Sequence, residues 1–293
     1  MSDAVAVPVA LAWGKGQLEA AGRASAAAEA RTLLAHAAGV EPSHLALQRT
    51  VPAAAAEQFT QLVQRRASGI PLQHLTGTAY FRTIEVAVGP GVFIPRPETE
   101  VMTGWAIDVL AGLDRAPVVV ELCTGSGAIA KAIATEVPGA QVHTCELDPV
   151  AVQWAQRNLA GTGAHLVEQD MADAFGELAG SVDLVISNPP YIPLEAWESV
   201  EAQVRDHDPL LALFSGEDGL DALRVVARRA AQLLRPGGVV CAEHAEVQHE
   251  AVAQLFVDQG GFTSVVDRPD LTGRPRFVTA TRSAQPWQDG RRD

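Results

Sequence analysis

Five consecutive residues, Ser187-Asn188-Pro189-Pro190-Tyr191, form the stretch of this 293-residue chain that is best suited to chemistry. They follow the apolar run 182–186, which predicts a buried strand ending in a rigid loop, because proline fixes φ and cannot donate to a sheet ladder. Ligands bind at such strand ends in open α/β sheets. Asn188 can accept and donate hydrogen bonds, and Tyr191 has a flat π face. The loop can therefore grip a planar NH2 group from its edge and from above.

A glycine-rich loop is the second candidate site. A predicted strand at 118–120 runs into a loop and then a helix, with the sequence Glu121-Leu122-Cys123-Thr124-Gly125-Ser126-Gly127-Ala128-Ile129-Ala130. Gly125 and Gly127 permit a tight turn and let a ligand approach the backbone, and Ala130 lets the helix pack closely. This spacing fits a dinucleotide site and an S-adenosylmethionine site about equally, and it also occurs in plain strand-to-helix turns.

Acidic residues follow the next two predicted strands. Glu146 lies about 20 residues beyond Gly125, where a carboxylate can accept both hydrogens of a ribose diol, and Asp148 is the less favoured alternative. After the third strand, Asp170 can bond an adenine amino group and Met171 can lie against the ring. The glycine loop, these residues and the Asn188 loop follow four successive strands, which places a donor and an acceptor side by side.

The elements that carry these residues predict an α/β fold. Apolar residues at helical spacing over 11–67 indicate a small helical bundle. Residues 80–88 alternate like a strand and turn at Gly89-Pro90-Gly91, which predicts a β-hairpin between two domains. Thr99 is the predicted N-cap of the next helix. From about residue 117, strand-like runs alternate with helical stretches, which predicts a mostly parallel sheet covered by helices on both faces.

Composition narrows the range of functions. The formal net charge of −13 argues against a nucleic-acid substrate, because phosphate binding depends on clustered Lys and Arg. The three cysteines are far apart, which favours reduced thiols over disulfides. His244 and His249 lack the spacing of a zinc motif, so we predict exposed or structural histidines and no metal. The absence of a leader or a long apolar run predicts a cytoplasmic protein with no membrane partner.

The combined motifs resemble the HemK/PrmC-type protein-(glutamine-N5) methyltransferases, a family that methylates the glutamine of the Gly-Gly-Gln motif in peptide chain release factors. The resemblance covers nearly the whole chain and rests on seven stretches: residues 29–36, 69–77, 94–100, 124–128, 188–191, 216–220 and 273–277. Four positions differ from the family's usual residues but keep the chemical character: Glu121, Glu146, Met171 and Asp208.

The resemblance implies a fold, a cofactor and a set of site residues. The fold is a Rossmann-like S-adenosylmethionine-dependent methyltransferase sheet with an N-terminal helical bundle and a β-hairpin linker. The implied divisions are a substrate-recognition domain at 1–75, a linker at 76–95, a methyltransferase domain at 96–284 and a polar tail at 285–293. The implied donor is S-adenosyl-L-methionine, with S-adenosyl-L-homocysteine as product, and its expected contacts are Glu121, Thr124, Gly125, Ser126, Gly127, Ala128, Glu146, Asp170, Met171 and Asn188.

The acceptor side follows from the loop at Asn188. We expect Asn188 and the Pro189 carbonyl to accept the two amide hydrogens, Pro190 to complete the substrate contacts, and Tyr191 to stack on the amide plane and stabilise developing positive charge. Three alternatives stay open: a ribosomal-protein glutamine as substrate, a DNA adenine-N6 methyltransferase, and a protein that binds a nucleotide without chemistry. Release factors are the expected partners, and no direct nucleic-acid substrate is expected.

Overall fold

A computed structural model of the chain describes residues 4–199 and 207–284 and divides them into two units. The first unit holds residues 4–78 with His207, and the second holds residues 79–199 and 208–284. The predicted polar tail, 285–293, lies outside the described residues. Within the described ranges, no helix has the length and apolar character needed to span a membrane.

The first unit is mainly helical. Alanine favours helices because it loses no side-chain entropy when the helix forms. Two short strands, β1 (Val5–Ala6) and β2 (Thr50–Val51), pair antiparallel. The helices are α1 (Val7–Ala20), α2 (Ala26–Ala38), α3 (Pro42–Leu45), α4 (Ala53–Ala67) and α5 (Leu72–Thr76). The predicted N-terminal helical region is confirmed.

Small residues let the helices of this first unit approach closely. Gly14 of α1 faces Phe59 of α4 and Ala30 of α2, and a methyl group at Gly14 would overlap the Phe59 ring. Glu29 of α2 and Arg66 of α4 form a two-point ion pair, with Nε–Oε2 at 2.7 Å and Nη2–Oε1 at 3.0 Å. Both side chains are largely buried, so the pair joins the two helices inside the bundle.

A two-stranded hairpin follows, and its turn differs from the predicted one. Strands β3 (Thr78–Phe81) and β4 (Ile84–Ala87) meet at Arg82-Thr83, where Arg82 has φ 51°. The chain does turn at Pro90 and Gly91, but the prediction that this is the turn of the hairpin is wrong. The buried positions change parity across the two-residue turn at Arg82-Thr83, from Ala79 and Phe81 to Val86 and Val88, whereas Tyr80 is exposed although it continues the even-numbered apolar pattern. Gly89 is instead required by packing, because a methyl group there would lie 2.6 Å from the Trp154 ring.

The second unit contains a seven-stranded sheet in the order β10-β11-β9-β8-β5-β6-β7. Strands β5 to β9 run parallel, and β11 is antiparallel to both of its neighbours. The predicted mostly parallel sheet is confirmed. Its strands are β5 (Val118–Leu122), β6 (Gln141–Glu146), β7 (His165–Glu168), β8 (Val182–Ser187), β9 (Leu234–Glu243), β10 (Phe262–Pro269) and β11 (Pro275–Arg282).

Helices cover both faces of this sheet, as predicted. Val119 and Val120 point to opposite faces and belong to two separate apolar clusters. The first cluster contains residues of α6 and α7, and the second contains residues of α10 and α11. The helices of this unit are α6 (Pro97–Ala111), α7 (Ala128–Glu136), α8 (Pro149–Leu159), α9 (Leu210–Leu213), α10 (Asp221–Leu233) and α11 (His249–Gln259).

The strand order creates a switch point between β5 and β8. From β5 the chain moves outward through β6 to β7, and it then returns to place β8 and β9 on the other side. Loops on the two sides of such a point diverge and leave a crevice at the carboxyl ends of the strands. Both the glycine loop after β5 and the Asn188 loop after β8 begin there.

Two glycines of α1 are expected to respond in opposite ways to alanine. Gly14→Ala should lower the free energy of unfolding by about 1–3 kcal/mol, because the methyl group enters the packed space of Phe59. Gly16→Ala should raise it by about 0.5–1 kcal/mol, because Gly16 is exposed with nothing within 4 Å of the added methyl. Urea unfolding of the two variants measures both changes. Equal effects at the two positions would contradict the assigned packing.

Candidate functional site

The glycine loop joins β5 to α7 with three residues in the left-handed region. These are Cys123 (φ 63°), Gly125 (φ 54°) and Gly127 (φ 80°). No atom lies within 4 Å of a methyl group built on Gly125, whereas one on Gly127 would lie 3.2 Å from Leu159. Position 127 therefore favours glycine through its left-handed φ and its close packing on α8, and Gly125 leaves open space beside the backbone where a ligand can approach.

Glu121 braces this loop from inside the core. Its Oε2 accepts hydrogen bonds from Thr124 Oγ1 at 2.6 Å, Thr144 Oγ1 at 3.0 Å and the Ala130 amide at 3.1 Å. Its Oε1 is buried and has no hydrogen-bond partner among the described residues. Burial raises the pKa of Glu121 to about 8, so this carboxyl carries a proton at neutral pH. The structure thus assigns Glu121 to loop support, and its direct contact with a cofactor stays a prediction.

Thr124, Ser126 and Ala128 occupy the remaining loop positions. The Thr124 and Ser126 side chains are buried, and Ala128 is the first residue of α7. Asn158 of α8 holds the loop from the other side, since its Nδ2 donates to the Ser126 carbonyl at 2.8 Å. The same side chain bonds both the amide and the carbonyl of Ala87 at the end of β4. Sequence reasoning missed Asn158, which ties the hairpin to the glycine loop.

Glu146, at the end of β6, lies directly beside the open part of the loop. Its Oε2 accepts from the Gly125 amide at 2.8 Å, and its Oε1 accepts from the Leu147 and Asp148 amides at 2.8 and 2.9 Å. The competing candidate, Asp148, caps α8 by accepting from the Val150 amide at 2.8 Å. The structure therefore brings Glu146 and Gly125 together and gives Asp148 a local structural use.

The third strand-end pair lies near the same loop. Met171 Sδ is 3.4 Å from Cys123 Sγ, so Met171 borders the glycine loop. Asp170 is exposed, and its Oδ1 accepts from the Ala172 amide at 2.8 Å, which closes a local turn. Both residues are thus at the carboxyl edge of the sheet, and their contact with an adenine ring stays a prediction.

The Asn188 loop begins next to the glycine loop. Ser187 Oγ donates to the Leu122 carbonyl at 2.7 Å, which joins the ends of β8 and β5. Asn188 is half-buried, and its Nδ2 donates to Thr99 Oγ1 at 3.2 Å. Pro189 is buried, Pro190 is half-buried, and the half-buried Tyr191 donates its hydroxyl to Glu243 Oε1 at 3.2 Å.

Glu243 and Thr99 are functional candidates that sequence reasoning did not assign to the site. Glu243 ends β9, is 2% exposed, and accepts from Thr99 Oγ1 at 2.6 Å. The prediction of Thr99 as an N-cap is wrong, because α6 begins at Pro97 and Arg96 is its N-cap. Proline is favoured at the first helical position, which was the available signal. For Glu243 the signal was its place after an apolar run, the same pattern that identified Glu146.

A neighbouring loop supports the backbone of Tyr191. Gln248 Nε2 donates to the Tyr191 carbonyl at 2.9 Å and to the Asp218 carbonyl at 3.3 Å. Gly219 has φ 77°, and a methyl group there would overlap the Tyr191 carbonyl oxygen. The stretch 216–220 therefore needs a glycine at position 219 to pack against the Asn188 loop.

The two histidines singled out by sequence show no metal-binding arrangement. His244 is buried, with Nδ1 3.0 Å from the Ala245 carbonyl and Nε2 2.8 Å from Asp267 Oδ1. His249 Nδ1 lies 3.1 Å from the Glu246 carbonyl. Over residues 4–199 and 207–284, no three His, Cys, Asp or Glu side chains are grouped so that they could hold an ion. His244 is thus buried and hydrogen-bonded, and the expected absence of a metal stays a prediction.

Comparisons with known proteins identify the family. Residues 9–77 match the PrmC N-terminal domain, and residues 85–203 match the methyltransferase small domain. The release factor glutamine methyltransferase of Streptomyces coelicolor is 51% identical over 269 residues, which are 91% of this chain and 95% of that protein. The chain belongs to the release factor glutamine methyltransferase family. It is therefore a methyltransferase. Its mostly parallel sheet is the one that the sequence predicted.

Two other proteins show how far this similarity extends. The 4-amino-L-phenylalanine/4-methylamino-L-phenylalanine methyltransferase of Streptomyces pristinaespiralis is 44% identical over 282 residues, which are 94% of each chain. The solved structure of the hMettl16 catalytic domain with an RNA hairpin has a TM-score of 0.53 at 15% identity. The match covers 76% of this chain and 81% of the hMettl16 chain. The second similarity concerns the fold alone. High identity therefore extends to relatives named for two different acceptors.

Glu121→Gln should change how stability depends on pH. The pKa of Glu121 rises from 4.5 to about 8 on folding, so its contribution is fully present below 4.5 and is lost as the pH rises towards 8. Glutamine has the same shape and does not titrate. The variant should therefore gain stability relative to the wild type by up to about 1.4 kcal/mol per pH unit between about pH 5 and 8. Urea unfolding at several pH values checks this, and parallel curves for the two proteins would refute it.

Proposed function

We propose that this protein transfers a methyl group from S-adenosyl-L-methionine to the side-chain amide nitrogen of the glutamine in the Gly-Gly-Gln motif of peptide chain release factors. The carrying observation is the adjacency of two loops at one switch point, the open glycine loop after β5 and the Asn188 loop after β8. The family membership supports the amide acceptor, since relatives of 51% and 46% identity are named for it.

The residues at the glycine loop fit the proposed donor. Gly125 leaves free space beside the backbone, Glu146 lies at the margin of that space, and Glu121 has one buried oxygen without a described partner. When bound, S-adenosyl-L-methionine supplies a methyl group on a sulfonium centre and leaves as S-adenosyl-L-homocysteine. The residues proposed to hold it are Glu121, Thr124, Gly125, Ser126, Gly127, Ala128, Glu146, Asp170, Met171 and Asn188.

The acceptor side must compensate for a weak nucleophile, because the amide lone pair is delocalised into the carbonyl. Asn188 Oδ1 and the Pro189 carbonyl accept the two amide hydrogens and aim the nitrogen at the donor methyl. Pro190 keeps the loop rigid, and the Tyr191 ring stabilises positive charge as the methyl is transferred. The Tyr191 hydroxyl bond to Glu243 limits rotation of that ring. The chain's own part in the reaction is therefore positioning and electrostatic stabilisation.

An arylamine acceptor is the second candidate. The relative from Streptomyces pristinaespiralis, at 44% identity over 94% of both chains, is named for a methyl transfer to the amino group of an aminophenylalanine. An arylamine is also a planar NH2 group, so the same Asn188 loop suits it. The two candidates differ in the size of the acceptor, a protein loop in one case and a free amino acid in the other.

One experiment separates these candidates. The purified protein is incubated with methyl-labelled donor and, separately, with release factors, ribosomal proteins, 4-amino-L-phenylalanine and DNA, and labelled sites are mapped by mass spectrometry. We expect label on the Gly-Gly-Gln glutamine alone. Label on the free amino acid, with release factors unmodified, would replace the first candidate by the second.

Asn188→Ala and Glu146→Ala should affect opposite halves of the site. Asn188→Ala should abolish methyl transfer with donor affinity largely retained, because it removes the proposed acceptor contact while the other proposed donor contacts remain. Glu146→Ala should weaken donor affinity by about 1.5–3 kcal/mol, with the rate recovering at saturating donor, because it removes a charge-assisted hydrogen bond. Calorimetry with the donor and turnover assays measure both. The exposed Asp114, which precedes β5 at the opposite edge of the sheet, provides the control variant, Asp114→Ala, which should change neither quantity. A joint fall of binding and turnover in Asn188→Ala would reassign Asn188 to the donor.

We further propose that the N-terminal helical unit recognises the body of the release factor. A single glutamine presents few atoms, so discrimination needs contacts away from the reacting group. Residues 9–77 match the PrmC N-terminal domain. This stretch carries no catalytic motif, so a role in recognition is the one we assign to it.

Deletion of residues 1–67 should therefore reduce activity on a whole release factor by about tenfold or more, equivalent to about 1.4 kcal/mol of lost binding. Activity on a short Gly-Gly-Gln peptide should fall far less, and donor affinity should stay nearly constant. Thermal melting checks that the truncated protein is folded. If a folded truncation kept the wild-type ratio of protein to peptide activity, the recognition role would be excluded.

A further inference from the structure

Three side chains at the carboxyl edge of the sheet form one hydrogen-bonded line. Thr99 in the first turn of α6 donates to Glu243 Oε2 at 2.6 Å, and Asn188 Nδ2 donates to the same Thr99 oxygen at 3.2 Å. Thr99 and Glu243 are buried, whereas Asn188 is half-buried. The line therefore runs from the core of the second unit to the residue proposed to touch the acceptor.

The number of protons on this line fixes its direction. A threonine hydroxyl has one proton, and an ionised carboxylate can only accept. Because Thr99 donates its only hydroxyl hydrogen to Glu243 in a hydrogen bond, the Thr99 oxygen must act as an acceptor towards Asn188. Only the NH2 end of the Asn188 amide can then bond Thr99, and the carbonyl end, Oδ1, must face the opposite way.

We propose that Glu243 is a positioning residue for methyl transfer: through Thr99 it holds the Asn188 amide with Oδ1 turned towards the amino group of the acceptor. The inference rests on the proposed function, since it needs Asn188 to receive an N–H from that group. With its two ends exchanged, the Asn188 amide would present NH2 to NH2, and two donors cannot form a hydrogen bond. Productive binding therefore depends on the direction of the line.

The surroundings of Glu243 make this direction sensitive to pH. Its second oxygen accepts from the Tyr191 hydroxyl at 3.2 Å. Burial is the largest influence and raises the pKa of Glu243 to about 7, Arg276 on β11 favours the ionised form, and Glu98 on α6 opposes it. Below that pH the carboxyl gains a proton of its own and no longer compels Thr99 to donate. The fraction of correctly directed Asn188 should therefore rise with pH through about 7.

Matched substitutions at Thr99 test the line with minimal change of shape. Thr99→Ser keeps the hydroxyl, and Thr99→Val replaces it with a methyl group. We expect Thr99→Ser to keep most of the wild-type kcat and its rise with pH between about pH 6 and 8.5. Thr99→Val and Glu243→Gln should lose about tenfold in kcat, the size of one net hydrogen bond, and that rise should be absent. Donor affinity should stay within about twofold in all three.

Glu136→Gln is the control for loss of a paired carboxylate. Glu136 bonds Arg82 at 2.7 and 2.8 Å and has no place on the line from Glu243 to Asn188. This variant should melt at a lower temperature and keep the wild-type kcat and pH profile. If Thr99→Val and Glu243→Gln behave like it, with the rise in kcat intact, Glu243 is only a structural residue and the proposal is overturned.

A second measurement does not depend on turnover. In protein labelled with 15N at asparagine, the side-chain NH2 signals of Asn188, assigned by their loss in Asn188→Asp, should shift with pH with a midpoint near about 7 in the wild type. They should not shift in Thr99→Val or Glu243→Gln. If the wild-type protein methylates no glutamine, the proposed function fails, and these signals still decide whether Glu243 controls Asn188. Identical titrations in the wild type and Glu243→Gln would overturn the proposal.

Discussion

Two buried carboxyl groups hold the candidate site to the core of the sheet. A buried carboxyl is costly unless hydrogen-bond donors surround it, so each one constrains the elements that supply those donors. Glu121 in β5 accepts hydrogen bonds from Thr124 of the glycine loop and Thr144 of β6. Glu243 at the end of β9 accepts hydrogen bonds from Thr99 of α6 and from Tyr191. The two loops that line the crevice are therefore fixed from beneath by these buried side chains.

The strand order explains why these two acids serve one site. Strands β5 and β8 are adjacent and parallel, and their loops leave the sheet at the same edge. Ser187 joins the two strand ends, while Asn158 ties the glycine loop to the end of the hairpin. Such preorganisation suits a reaction whose acceptor is a weak nucleophile, because little needs to move when the methyl is transferred. It also suits any planar NH2 group, which agrees with the different acceptors named among the relatives.

Several sequence predictions were wrong or incomplete for reasons that can be stated physically. The hairpin turn was misplaced because apolar Tyr80 continues the even-numbered pattern of Val86 and Val88, which hides the change of parity at Arg82-Thr83. The conspicuous Gly89 is required by its packing against Trp154. Thr99 was assigned to helix capping because hydroxyl residues commonly cap helices. The helix instead begins at Pro97, so Thr99 lies inside its first turn. That position leaves the Thr99 hydroxyl available to Glu243, a contact between residues 144 positions apart that no local pattern encodes.

The sequence by itself determined the class of fold and the order of its parts. Periods of apolar residues identify strands and helices because each element must bury one face, and a motif that follows a strand in the chain must lie at that strand's end. This was enough to predict the parallel sheet and to bring Gly125, Glu146 and Asn188 to one edge. Only the tertiary structure decided which polar atoms pair. Asn188 bonds Thr99 only because packing brings the two side chains together. Packing also buries Glu121 and Glu243, and that burial raises the pKa of both carboxyl groups. Packing is a property of the whole sheet and its helices, so no local stretch of sequence reveals these contacts.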